Sequence, residues 1–184
     1  MNIELKIAVL VVIGVVLASL TRRSLISLRS HGPFRLFSWM AATALVLVNV
    51  DYWFDDPLCA RQIASWLLLA ISAAVVTYGA MSLRRGRPDA KRDDPSLISL
   101  ERTTDLVTSG AYRYIRHPLY SSLLFGAWGV FLRHISLSST VLAVLTFLLT
   151  TATATIEESE NIAYFGDEYR DYMKRTKMFV PFLF

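Results

Sequence analysis

The chain has 184 residues, 54% of them hydrophobic, and a mean hydropathy of +0.43. That is too apolar for an ordinary soluble domain of this size. Its net charge of +4 does not indicate nucleic acid, because the basic residues lie in the connections between apolar runs rather than on one amphipathic face.

Apolar runs long enough to cross a hydrocarbon layer about 30 Å thick recur along the sequence, and helices satisfy the backbone there. Five spans are expected, at about residues 3–20, 34–53, 62–82, 118–133 and 138–156. The first follows Met1–Lys6, where one acid balances one base, so it reads as a retained helix rather than a cleaved signal. The connection after it carries Arg22, Arg23, Arg29 and Arg35 without an acid, and His31 beside Gly32-Pro33 reads as a turn with a solvated imidazole. The second connection is acidic, with Asp51, Asp55 and Asp56; Asp51 beside Trp53 suits a membrane interface. Cys59, the single cysteine, excludes an internal disulfide and a multi-cysteine metal site, and reads as a small buried hydrophobe; no metal is expected.

The third connection is long and holds Arg84, Arg85, Arg87, Lys91, Arg92, Arg102, Arg113 and Arg116; the tail adds Lys174, Arg175 and Lys177. By the positive-inside rule the N-terminus is outside, and the first loop, the third loop and the tail are cytoplasmic, with Arg133 a lone exception. The last two spans are short and separated only by Arg133–Leu137, so they form a tight hairpin. The expected fold is all-α, a multi-pass integral-membrane bundle of about five helices forming one domain over 1–184. It comprises three spans to residue 82, a cytoplasmic loop 83–117, the hairpin 118–156 and a helical tail 157–184.

Chemistry concentrates in two places. In Gly110–Tyr120, Pro118 suits the first position of a helix, whose first-turn N–H groups near Leu119 and Tyr120 attract an anion. Gly110 supplies a tight turn. The same segment reads equally as an interfacial anchor, with Tyr112, Tyr114 and Tyr120 in the aromatic belt and Arg113 and Arg116 on lipid headgroups. The second place is Glu157-Glu158-Ser159-Glu160. Three acids at a helix C-terminus oppose the dipole unless the helix continues, so the last span extends to about Phe165 and stops at Gly166. Glu157, Asn161 and Tyr164 would then share a face. An acidic collar pairing with the third-loop arginines is the alternative. An anion-binding helix start and a carboxylate face on one membrane side suit a zwitterionic amino-acid ligand.

Leu106–Tyr112, Arg116-His117-Pro118-Leu119-Tyr120, Glu157-Glu158 and Phe165–Tyr169 with Tyr172 and Pro181 resemble the isoprenylcysteine carboxyl methyltransferase and phospholipid methyltransferase superfamily over about the last 85 residues. The resemblance implies a cytoplasmic site for S-adenosylmethionine. Thr104, Asp105, Leu106, Val107 and Tyr112 would wrap its adenosine, His117, Pro118, Leu119 and Tyr120 would bind its amino-acid end through their backbone, and Glu157 would hold its ammonium. The implied activity is methyl transfer to a lipophilic or lipid acceptor entering from the bilayer, with Glu158 or Tyr120 as base. Carboxyl-methylating members carry an arginine one turn before the cofactor glutamate, where this chain has Thr153, which points away from a carboxylate acceptor. An NADPH-dependent membrane reductase of related fold and a non-catalytic membrane anchor are the alternative readings.

Overall fold

The computed structural model describes residues 1–22, 24–25, 30–85 and 105–183. Thr104 and much of the basic third loop, Arg87, Lys91, Arg92 and Arg102 included, lie outside the described residues. The helices are α1 (Ile3–Thr21), α2 (Gly32–Asn49), α3 (Ala60–Arg85), α4 (Pro118–Phe131), α5 (Leu137–Phe165) and α6 (Asp167–Arg175). Short 3-10 turns occupy Val50–Tyr52 and Gly110–Arg113.

Four helices, α1, α2 with its following turn, α3 and α5, are long and apolar enough to cross a membrane, and the chain is an all-α membrane bundle. The fourth expected span, 118–133, is α4, which is apolar but only 14 residues long. At 1.5 Å per residue it reaches about 21 Å, less than a hydrocarbon core. Large apolar side chains such as Val11, Val12, Val15, Leu67 and Leu148 face outward, as lipid-exposed helices require. Burial is therefore confined to the helix contacts.

In those contacts α3 packs on α4, α2 on α5 and α1 on α2. Hydroxyls join the helices where lipid offers no hydrophobic drive for association. Ser38 Oγ and Thr150 Oγ1 are 2.6 Å apart, Asn49 Nδ2 donates to Ser139 Oγ at 2.9 Å, and Ser65 Oγ donates to the Gly129 carbonyl at 2.6 Å. Leu45, Ala127, Val130 and Ala143 make one apolar cluster; Tyr120, Leu124, Ala154 and Phe179 make the other.

Three expectations change. His31 is fully buried, and its ring bridges α2 and α5. The Arg35 guanidinium, which only donates, lies 3.1 Å from Nε2, so that nitrogen accepts and Nδ1–H donates to Glu160 Oε2 at 2.6 Å. Cys59 is half-buried just before α3, outside both clusters. Arg133, weighed in the sequence only as a loop charge, is completely buried. Asp51 behaves as an interfacial residue: it stays partly exposed and binds Lys6 Nζ at 2.6 Å and the N-terminal amine.

Candidate active site

Two polar segments meet at the end of the bundle where α3 and α5 finish and α4 begins. The first is 105–117. Gly110 takes φ +63°, and the backbone N–H of Ala111 donates to Ser82 Oγ at 3.2 Å, which presses the 3-10 turn onto the last turn of α3. A Cβ at Gly110 would collide with Ser82 Oγ and lie 3.0 Å from Ser82 Cβ. Gly110→Ala therefore meets both a left-handed backbone and a clash, and should cost roughly 2–4 kcal/mol. A thermal melt of the purified variant checks this, and Ser82→Gly in the same chain should recover part of the loss.

The second segment is the extension of α5 beyond its apolar stretch. The helix runs to Phe165 and ends at Gly166, whose φ is 63°. Chain reversal at Gly166 then starts α6, with Asp167 and Glu168 in its first turn and Lys174 and Arg175 in its last, matching the helix dipole. Tyr169 and Tyr172, three residues apart, are its buried face.

After α6 the chain returns alongside the motif. Lys177 N–H donates to the Tyr114 carbonyl at 3.2 Å, Arg116 N–H to Lys177 at 2.8 Å and His117 N–H to Met178 at 3.2 Å. Phe179 is buried behind Tyr120, and its carbonyl accepts from Ser121 Oγ at 2.8 Å. The last residues thus strap the start of α4 in place.

Between these segments lies a pocket enclosing about 650 Å³ of empty space, its mouth included. Leu83, Leu106, Val107 and Leu119 make its apolar wall, and Tyr112, Phe165, Tyr169 and Tyr172 present rings to it. Arg116, His117, Tyr120, Glu157 and Asn161 supply its polar side. Tyr120 Oη donates to Glu157 Oε2 at 2.6 Å, and Tyr172 Oη donates to the Tyr112 carbonyl at 2.6 Å. Burial, with Glu158 and Glu157 nearby, pushes the Tyr169 phenol well up against a partly offsetting hydrogen bond to Asn161. Burial likewise raises Tyr172, against a smaller opposing pull from Arg116. Both rings therefore stay neutral at physiological pH.

The structure separates the expected site residues. Leu106, Val107, Tyr112, His117, Leu119, Tyr120 and Glu157 line the pocket. Asp105 is exposed and does not, and Pro118 is buried in the contact with Gly79 of α3. Glu158 points elsewhere: its Oε1 accepts from Arg116 Nε at 2.6 Å and lies 3.3 Å from His117 Nε2. Tyr164 is exposed, and Phe165 takes its place beside Glu157 and Asn161 on the pocket face. Thr153 is buried with its hydroxyl on the Leu149 carbonyl at 2.7 Å. Leu83, Arg116, Asn161, Phe165, Tyr169 and Tyr172 complete the lining; the sequence places Asn161 on the face of Glu157 and puts Arg116, Phe165, Tyr169 and Tyr172 in the motifs that carry the resemblance without giving them a role in the site, and Leu83 alone carries no signal. Within Gly110–Tyr120, Arg113 and Tyr114 face outward while Tyr112, Arg116, His117 and Tyr120 face the pocket.

A second, larger groove of about 1300 Å³ runs between α2 and α3 over α4. Val76 and Ala80 of α3, Leu119, Tyr120 and Leu123 of α4, and Trp39 of α2 line its inner half. No charged residue is among its described lining. Leu119 and Tyr120 belong to both spaces, so the polar pocket and the apolar groove adjoin there.

Residues 94–168, which contain most of this pocket's motif, match the family model for phospholipid methyltransferase. Over this segment the chain is similar to the phospholipid methyltransferase family. Curated relatives extend the likeness. A methanethiol S-methyltransferase of Pseudomonas deceptionensis is 23% identical over 167 residues, covering 82% of this chain and 61% of that protein. A protein-S-isoprenylcysteine O-methyltransferase of Schizosaccharomyces pombe is 30% identical over 90 residues, 47% of this chain and 38% of the relative. A nickel-cobalt-cadmium resistance protein of Alcaligenes xylosoxydans xylosoxydans is 30% identical over 151 residues, 80% of this chain and 64% of the relative. The chain thus spans less than two thirds of each of these relatives. No solved structure matches. Among the described residues no group of three or more His, Cys, Asp and Glu is arranged to hold a metal ion.

Proposed function

We propose that this chain transfers a methyl group from S-adenosylmethionine to a lipophilic acceptor. The observation that carries this reading is the meeting of a polar, aromatic pocket with an uncharged groove at Leu119 and Tyr120. A water-soluble donor and a membrane-dissolved acceptor need two such spaces sharing one wall.

The pocket's chemistry fits the donor. Glu157 would hold the ammonium. His117 commits its N–H to Met178 and Pro118 has none, so the donor carboxylate would meet the first-turn amides of α4 from Leu119 onward. Leu106, Val107 and Tyr112 would contact the adenosine, while the neutral rings of Tyr169 and Tyr172 offer faces to a cation. S-adenosylmethionine supplies an electrophilic methyl group on a positively charged sulfonium. The chain's own residues then align and dehydrate the two partners. Tyr120 stands at the boundary, and its hydrogen bond to Glu157 fixes its ring orientation and gives a proton from an acceptor thiol, hydroxyl or amine somewhere to go. Glu158, bonded to Arg116 and His117, acts as a positioning residue for the motif. Arg84, Arg85, Arg113 and Arg116 lie at the pocket end of the bundle, which supports a cytoplasmic site and an N-terminus outside.

The decisive measurement is a thermal melt of the detergent-solubilised protein with S-adenosylhomocysteine. At about 100 times its dissociation constant the ligand contributes roughly 2.7 kcal/mol, a rise of about 5–10 °C for a chain of this length. NADPH should give no rise. Absence of a shift at saturating S-adenosylhomocysteine would overturn the reading, and stabilisation by NADPH alone would favour the reductase. Extraction after incubation with methyl-labelled donor and membrane lipid should then place label in the organic phase.

A further inference from the structure

At the end of the groove away from Tyr120, the lining residue Trp53 is held by a buried arginine. Along α4 its lining steps from Tyr120 through Leu123 and Ala127 to Val130; along α3 it steps in the opposite direction from Ala80 to Leu69. Trp53, just beyond α2, joins Val130 and Leu69 at the far end. Behind it stands Arg133, fully buried.

Arg133 Nη1 donates to the Trp53 carbonyl at 3.1 Å and to Gln62 Oε1 at 2.7 Å. Its guanidinium lies 3.6 Å from the Trp66 ring centre and 5.1 Å from that of Trp53, and the two indoles meet edge to face at 6.1 Å. Among the described residues Arg133 Nε and Nη2 have no hydrogen-bond partner, and the indole faces of Trp53 and Trp66 lie against the guanidinium. Arg61 donates to the Leu132 carbonyl at 2.5 Å and also to that of Arg133, pinning the α4–α5 turn that carries the clamp. A buried cation held this way resists displacement of Trp53, because moving the ring removes much of what surrounds the charge.

Resting on the methyltransferase reading above, we propose that Trp53, clamped by Arg133, is the end stop of the acceptor site and selects acceptors by chain length. Ten residues separate Tyr120 from Val130, about 15 Å along the helix axis. With carbon–carbon bonds of about 1.5 Å laid in a zigzag, that distance holds a chain of about a dozen carbons between the reacting atom and the terminus. The acceptor class is thus a molecule with one uncharged hydrocarbon chain of that length, its reacting group at Tyr120.

The test uses the full chain in lipid nanodiscs and a series of straight-chain primary alcohols from 8 to 18 carbons, read by thermal stabilisation with S-adenosylhomocysteine present. Referred to the alcohol free in water, affinity should rise about fourfold per added carbon and stop rising near 12. Trp53→Ala should move that limit upward by about three to five carbons, Trp53→Leu by fewer, and Trp53→Phe should keep it near the wild-type value. A limit unchanged in Trp53→Ala, or a wild-type affinity that climbs smoothly to 18 carbons as bulk partitioning would, overturns the proposal. Should Trp53→Ala fail to fold, the Leu and Phe variants decide on the same criterion. S-adenosylhomocysteine stabilisation without any alcohol reads the donor pocket separately, so failure of the end stop and failure of the methyltransferase reading give different results.

Discussion

Glu157→Gln should lower S-adenosylhomocysteine affinity by about 10–100-fold while leaving the melting temperature of the ligand-free protein nearly unchanged. The glutamine side chain is isosteric, and its carbonyl can still accept from Tyr120 Oη, so the packing of α4 on α5 persists. What disappears is the negative charge facing the donor's ammonium. A charge-assisted hydrogen bond of that kind contributes roughly 1.5–3 kcal/mol, which sets the expected range. Isothermal titration of wild type and variant measures it directly. Equal affinities would show that Glu157 faces no ammonium, and the donor assignment would lose its main polar contact. Tyr120→Phe, which removes the hydroxyl but keeps the ring, should have a smaller effect on affinity.

Arg116→Met should destabilise the protein by roughly 3–5 kcal/mol, whether or not ligand is present. The side chains of Arg116 and Glu158 are only 10% and 8% exposed, so removing the cation strands a carboxylate away from water. Two further bonds vanish with it, from Nη1 to the carbonyls of Thr176 at 2.5 Å and Met173 at 3.3 Å. Arg116→Lys should rescue only part of the loss, since an ammonium lacks the planar fork that serves all three acceptors. Combining Arg116→Met with Glu158→Leu should cost less than the sum of the single changes, the signature of a coupled pair. Were the pair a solvated collar, each change would cost under about 1 kcal/mol. Chemical denaturation of the wild type, the three single variants and the double variant distinguishes these outcomes.

The Arg116–Glu158 contact also clarifies the two adjacent acids. Read from the sequence, Glu157 and Glu158 differ only in which helix face they occupy, and each is a plausible partner for a ligand or an arginine. One residue of helix rotation, about 100°, sends Glu157 into the pocket and Glu158 onto Arg116. The third acid, Glu160, turns to His31 in the first loop. All three are used, and each by a different part of the chain.

Much of this was legible without coordinates. Hydrophobic run length, the acids beyond the last span and the position of Gly166 placed α1, α2, α3 and the full extent of α5, because each depends on local properties: transfer to lipid, the helix dipole and a residue tolerant of positive φ. Motif order and spacing marked the pocket's segments, from Leu106 through Glu157, before any contact was visible. The chain's end was harder to read. The segment of 177–179 has no periodicity to reveal that it straps Tyr114–His117, some sixty residues earlier. Likewise, His31 in a Gly-Pro turn looks solvated, and Arg133 in a short connection looks like an exposed charge. Their burial follows from partners far away in sequence: Glu160 for one, Gln62, Trp53 and Trp66 for the other. Sequence alone determined which stretches are apolar enough to enter lipid and which segments concentrate polar and aromatic groups, since those follow from each residue's own transfer energy and bonding groups. Only the tertiary structure decided that Glu157 lines the pocket while Glu158 binds Arg116 and Glu160 binds His31, and which helices line the groove, since both depend on helix rotation and on contacts between residues distant in the chain.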